Sequence, residues 1–278
     1  MKAAPVINGP ASDTTAADRR FLIGLWLLGS VYLALIAGML VADASFTSPN
    51  QLLQALRSRE IRYAIRLSLL SCSLTTLLSL WVGVPIGYLM SRTRIRGKAL
   101  LDALLDIPIV LPPLVIGLSL LILFQTPPGR MLERVMPITY AIPGVILAQF
   151  TVASAFAVRT LRATFDQLNP RQEQVALTLG CTRSQAFWRV VLPEARRGVL
   201  TAATLAWARS LGEFGPILVF AGATRLRTEV MPTTVFLELS VGNIEAAVAV
   251  SLLMVVAAVA VLLIIRWFGW EQTLGRPL

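Results

Sequence analysis

Arg209 and Glu213 have the clearest capacity for chemistry in this chain, because both lie inside an otherwise apolar run, WARSLGEFGPILVFAG. An isolated charge in hydrocarbon is costly, and the i, i+4 spacing puts the two on one helical face where they neutralise each other. The pair is therefore either a helix-stabilising ion pair or the mark of a pathway through the membrane. Ser210 adds a hydroxyl beside the arginine, and Gly212, Gly215 and Pro216 let the helix thin or bend at this level, as a gate requires. A second apolar segment, DIPIVLPPLVIG, carries Pro108, Pro112 and Pro113. Missing backbone donors in hydrocarbon must be buried among helices or line a watery path, so Pro112 and Pro113 join the pathway candidates.

Other chemistries find little support. The chain has no histidine and only two cysteines, Cys72 and Cys181, so neither a metal site nor a disulfide framework is expected. No GxxxxGK[ST] string occurs, so no cofactor is expected here, and any ATP consumed in transport must be bound by a separate polypeptide. Asp102 and Asp106 share a helical face at the expected start of an apolar segment, where negative charge complements the helix dipole. They do not assemble an intramembrane protease, which needs a nucleophile with a base or a carboxylate pair, and no catalytic residue is assigned. An ion-coupled secondary transporter is the competing class. Glu213 beside an arginine is a poor proton relay for it.

These residues need apolar spans to hold them. The 278 residues are 56% hydrophobic and 14% charged, against about 25% charged in soluble domains, which marks a membrane protein. Spans are expected at 21–43, 63–90, 101–124, 143–158, 198–220 and 244–267, with Gly83 and Gly87 allowing close helix approach and Pro85 kinking the second span. Residues 1–20 read as a disordered cytoplasmic tail, 63–267 as the core of five helices, and 268–278 as a second cytoplasmic tail. Trp26, Trp81, Trp267 and Trp270 read as interfacial anchors. Sixteen of the 25 Lys and Arg residues fall on the side of the termini and seven on the other, so termini and the 169–193 segment are expected in the cytoplasm.

That segment, NPRQEQVALTLGCTRSQAFWRVVLP, reads as a helical hairpin. Asn169 caps the first helix with Pro170 at its first position, and Gly180 ends it with a left-handed turn. Thr182 and Gln185 have capping-box spacing, and Pro193 is expected to stop the second helix. Val175, Ala176 and Leu179 on one helix, with Phe187, Val190 and Val191 on the other, are expected to form a hydrophobic seam. A DNA-binding helix-turn-helix has the same outline, with Arg183 and Arg189 for phosphates. Spans holding both ends leave little polypeptide free to approach a duplex, so nucleic acid is not expected as a partner.

The hairpin resembles the cytoplasmic loop of ABC-importer permeases, with Gln174, Val175, Ala176, Gly180, Leu192 and Pro193 on the Glu-Ala-Ala, Gly and Leu-Pro positions. Gln174 stands where Glu is usual, with Glu173 adjacent, and Val175 stands for Ala. The proline segment resembles the Pro-x-Val-Leu-Pro-Pro string of molybdate and sulfate permeases. Gly212–Gly215 (GEFG) and Thr228–Pro232 (TEVMP) are similar to strings of oxyanion permeases, with Met231 for Leu. The likeness extends over about residues 63 to 267. It implies an all-α, six-span, type I (MetI-like) permease fold in the bacterial inner membrane, whose coupling hairpin docks on an ATPase subunit through Phe187 and the Gly180 turn, with Glu173, Gln174, Ala176, Leu192 and Pro193 completing the coupling set. It further implies a second permease copy, a periplasmic or lipid-anchored oxyanion-binding protein, and molybdate as cargo ahead of sulfate or tungstate.

Overall fold

A computed structural model describes residues 16–93 and 96–274, with side chains for 19–93 and 96–264. The first fifteen residues of the expected tail lie outside this range. Residues 16–20 do not belong to a tail, because helix α1 (Ala16–Phe46) already includes them. Two units are distinguished, Met1–Ser48 and Pro49–Leu278. The first contains α1, whose 28-residue stretch Arg19–Phe46 includes an 18-residue window with a mean hydropathy of 2.2. At 1.5 Å per residue the stretch is about 42 Å long, more than a bilayer core.

In the second unit the chain forms α2 (Pro49–Arg57), α3 (Arg59–Arg92), α4 (Lys98–Val110), α5 (Pro113–Gln125), α6 (Pro127–Val135), α7 (Ile142–Gln167), α8 (Pro170–Thr178), α9 (Arg183–Ala186), a π-helical turn (Phe187–Val191), α10 (Leu192–Leu211), α11 (Gly215–Phe220), α12 (Met231–Ser240) and α13 (Ile244–Leu274). Among the described residues there is no strand. Pro85 lies within the unbroken α3, and α13 continues through Leu274, so most of the expected C-terminal tail is helical.

Helices α3 and α7 run parallel, and glycine permits it. A Cβ at Gly87 would stand 2.9 Å from the Arg162 backbone nitrogen, and one at Gly83 would stand 3.0 Å from Leu161 Cδ1. A side chain at Gly87 would meet backbone and force the helices apart, whereas at Gly83 the Leu161 side chain would have to give way, so Gly87 sets the closest part of this contact. Helix α10 returns antiparallel along α7 through buried Ala153, Ala157 and Ala206. Gln149, 1% exposed, binds the three helices together. It accepts from Thr75 Oγ1 at 3.2 Å on α3 and donates to the Ser210 carbonyl at 3.1 Å on α10.

Two expected spans are broken. The third is α4 and α5, bent by 112°. The Pro112 ring drives Leu111 out of the helical region, to ψ 141°, and Pro113 drives Pro112 to ψ 136° before opening α5 as its first residue. The fifth stops at Leu211 and resumes at Gly215. Pro216 can neither donate to the Gly212 carbonyl nor tolerate it one turn back, so the helix cannot pass through. Four helices among the described residues are long and apolar enough to cross a membrane, or five if the bent pair is one span, and the expected 198–220 segment is not among them.

Candidate functional site

The hairpin forms much as its capping residues dictate. Asn169 Oδ1 accepts from the Arg171 N–H at 3.0 Å, and Gly180 takes φ +89°, a conformation that side-chain-bearing residues rarely adopt. Thr182 and Gln185 close a reciprocal capping box, the Thr182 N–H donating to Gln185 Oε1 at 2.9 Å and the Gln185 N–H to Thr182 Oγ1 at 3.3 Å. Pro193, however, does not stop the second helix. The helix widens into the π turn Phe187–Val191, where the Leu192 N–H reaches back to the Phe187 carbonyl, and then continues as α10 with Pro193 in its first turn. The wider turn moves the carbonyls that a proline ring would otherwise strike. The hairpin is thus continuous with α10.

The seam differs from the expected one. Ala176, Ala186 and Val191 are buried, while Val175 is 55%, Leu179 79% and Trp188 64% exposed. Glu173 turns back toward the bundle: Tyr88 donates to Glu173 Oε1 at 2.5 Å, and Arg92 Nε lies 3.4 Å from Glu173 Oε2. Arg92 also donates to the Leu168 carbonyl at 3.1 Å. The Tyr88 ring meets Phe165 and Phe187 edge-on, with centroids 5.8 and 4.9 Å away. Of the expected coupling set, Glu173 and Phe187 therefore hold the hairpin against α3, Ala176 is buried, Leu192 is half-buried, and Gln174, Gly180 and Pro193 are exposed. The exposed Val175, Leu179 and Trp188 were the missed feature. Their apolar type was legible, but the face they present was not.

At the other end of α10, Arg209 Nη2 donates to Glu213 Oε1 at 2.5 Å. Glu213 is 2% and Arg209 36% exposed in the side chain, so the acid is enclosed while the arginine reaches an open edge. Its guanidinium also sits 5.0 Å above the centre of the Phe156 ring, a cation–π contact that fixes it without cancelling its charge. Ser210 faces the other way. It is fully buried and its hydroxyl donates to the Ala206 carbonyl at 2.8 Å, so it does not share that edge.

The structure joins the two proline breaks. A Cβ on Gly215 would be 3.0 Å from Pro113 Cβ and from the Leu114 nitrogen, and one on Gly117 would be 2.9 Å from Pro216 Cα. Each glycine receives the other segment's proline turn, so Pro112–Pro113 and Gly212–Pro216 form one joint. Asp102 and Asp106 do more than offset a dipole: they pair with Arg162 and Arg159 of α7, fastening α4 to it. The connection after α11 is also ordered by contact, with Tyr63 donating to the Arg227 carbonyl at 2.9 Å and the Met231 N–H to Ser68 Oγ at 2.8 Å. Glu229 there is fully buried with Oε2 unpartnered. Burial pushes its carboxyl above the ordinary value of 4.5, opposed by the Thr234 hydrogen bond and the charge of Arg225.

Residues 83–269 match the family model of binding-protein-dependent transport system inner membrane components. A probable molybdenum ABC transporter permease of Haloferax volcanii is 35% identical over 253 residues, covering 90% of each chain. The sulfate transport system permease protein CysT of Escherichia coli K12 is 32% identical over 270 residues, covering 94% of this chain and 97% of that one. The molybdenum transport system permease protein ModB of Mycobacterium tuberculosis is 36% identical over 242 residues, covering 84% and 91%. The fold is similar to that of a solved bacterial alginate ABC transporter chain, with a TM-score of 0.70 at 17% identity over 91% of this chain and 95% of that one.

Proposed function

The chain belongs to the binding-protein-dependent transport system inner membrane components, within the molybdate, sulfate and tungstate ABC permeases, and we propose that it carries molybdate inward while a separate ATPase subunit drives it. In this reading six spans, with α10 and α11 as a broken fifth, put both termini and the hairpin in the cytoplasm. Two copies pair in the membrane, and an oxyanion-binding protein, periplasmic or lipid-anchored, delivers the cargo. No cofactor is bound by this chain.

The carrying observation is the hairpin: it is continuous with α10, pinned to α3, and presents Val175, Leu179 and Trp188 to solvent. Exposed apolar side chains on one hairpin are the kind of feature that a partner's groove covers. The ATPase seats on it, and nucleotide-driven closure pushes α10 and α3 together, moving the joint between Pro113 and Gly215. Arg209, one from each copy, draws a dianion across weakly enough to release it. Docking is tested by co-purification with the ATPase subunit proposed as its partner. Leu179→Arg with Trp188→Ala is expected to abolish ATPase capture while the permease stays folded, and intact capture overturns the docking face. Uptake of labelled molybdate by the reconstituted complex, challenged with sulfate and tungstate, tests the cargo. Stronger displacement by sulfate than by unlabelled molybdate would reassign it.

A further inference from the structure

A groove of about 650 Å³ lies between α7 and α10, lined among others by Arg159, Thr160 and Thr164 from α7 and by Glu194, Arg197 and Thr201 from α10. It lies on the same side of the helix pair as Arg209. On α10, residues 194, 198, 201, 205 and 209 recur at intervals of three and four and so form one stripe. On α7, residues 156, 160, 163 and 167 do the same, and Phe156 is the residue under Arg209. The two stripes are the walls of one surface that begins at Arg209 and ends at the groove. Arg197 is twelve residues from Arg209, or about 18 Å along the axis.

We infer that this groove is a second station for the transported tetrahedral oxyanion, on the cytoplasmic side of Arg209, with Arg159 and Arg197 supplying its positive charge. The inference rests on the transport reading above and assigns the exit half of the route. Two arginines offer forked donors that match an oxyanion. Three hydroxyls accompany them: Thr160, Thr164 and Thr201 donate back to the carbonyls of Phe156, Thr160 and Arg197 at 2.9, 2.9 and 3.0 Å. A rotation exchanges each of those bonds for an anion's oxygen. Carboxylates moderate the site. Asp106 lies 3.7 Å from Arg159 and Glu194 lines the same groove, much as Glu213 partners Arg209. Half-neutralised arginines in series give a path on which each site holds an anion loosely and passes it on.

The approach of the helices fixes the width of this groove. A Cβ on Gly198 would fall 2.1 Å from the Thr164 side chain, so α10 lies directly against α7 at this level and the arginines flank the contact.

The test uses the complete complex, with ATPase and binding protein, in phosphatidylcholine vesicles. Arg159→Gln with Arg197→Gln should lower molybdate uptake about tenfold, the value of a lost charged hydrogen bond or two, while ATP hydrolysis persists. Arg159→Lys with Arg197→Lys should restore most of the uptake. In a chain with Cys72 and Cys181 replaced, Thr201→Cys should be alkylated more slowly when molybdate is added, and Arg197→Gln should erase that protection. Equal uptake by the double glutamine variant overturns the station. So does protection that follows added phosphatidylglycerol but not molybdate, which would make the groove a lipid phosphate site. If the unaltered complex takes up no oxyanion, the transport reading fails first; if it does and the variants match it, only the station fails.

Discussion

Two arginine–glutamate pairs, one where α10 ends and one between α3 and the hairpin, make different connections. Arg209 and Glu213 are four residues apart on neighbouring turns and connect no separate elements. Arg92 and Glu173 join α3 to α8, with Tyr88 making the third contact. The joint beside the first pair is closed by packing, glycine against proline and the Phe124 ring against Phe220 with centroids 5.1 Å apart. The second pair fastens the hairpin to the membrane helices. The hairpin is bolted by charge and hydrogen bonds, as a part that receives force in the proposed cycle would need, whereas the joint is held by shape.

Breaking the first pair should give the largest effect. Arg209→Ala removes the exposed charge and leaves Glu213 buried without its partner, a cost of about 3–5 kcal/mol for a buried pair. Uptake is expected to vanish, and the protein should be harder to extract folded. Adding Glu213→Gln removes the stranded charge, so Arg209→Ala with Glu213→Gln should recover thermal stability in detergent but not transport. Recovery of transport would reduce Arg209 to a helix-stabilising residue.

The second pair should give a smaller, separable loss. Glu173→Ala unfastens the hairpin while leaving Val175, Leu179 and Trp188 in place, so the ATPase should still co-purify. Molybdate moved per ATP hydrolysed should fall about tenfold, with roughly 1.5–3 kcal/mol of charged hydrogen bonding lost. An unchanged ratio would show that force does not pass through α3. Tyr88→Phe removes one hydroxyl and keeps the aromatic packing, so it should cost a few-fold at most, about 1 kcal/mol.

The smallest effect on transport concerns Glu229, which belongs to neither pair and acts on stability alone. Its folded pKa is raised above the ordinary 4.5 by burial, so the folded state binds more protons than the unfolded state as pH rises from there to the raised value. Stability must fall across that window, by up to about 1.4 kcal/mol per pH unit. Glu229→Gln cannot ionise and should flatten the melting temperature against pH. A variant that still follows the wild-type slope would place the titration elsewhere.

Much of this was legible in the sequence because it depends on local chemistry. Asn169, Gly180 and the Thr182–Gln185 pair specify a hairpin wherever it is placed, and the spacing of Gly83 and Gly87 states that another helix must come close. What was not legible depends on neighbours distant in the chain. Glu173 is expected among the residues that meet an ATPase subunit, and nothing in its flanks announces that Tyr88 and Arg92 will be beside it. Val175 and Leu179 read as seam residues, since period alone cannot say which of two apolar faces is covered. Pro193 reads as a stop because nothing in its flanks announces that the preceding turn will widen. Asp102 and Asp106 have the right spacing for a dipole role and for a cross-helix pairing, and only the position of α7 chooses.

The widened turn at Phe187–Val191 amounts to one surplus residue in an otherwise continuous rod. Each residue of an α-helix advances the azimuth by about 100°, so the surplus sets the direction in which Trp188 and the hairpin point relative to Arg197 and Arg209. Deleting Val190 would tighten the coil into ordinary pitch and swing one end against the other by about that angle. The same side chains would all still be present, aimed at the wrong partners, and a transporter with every part intact would lose its drive through misalignment.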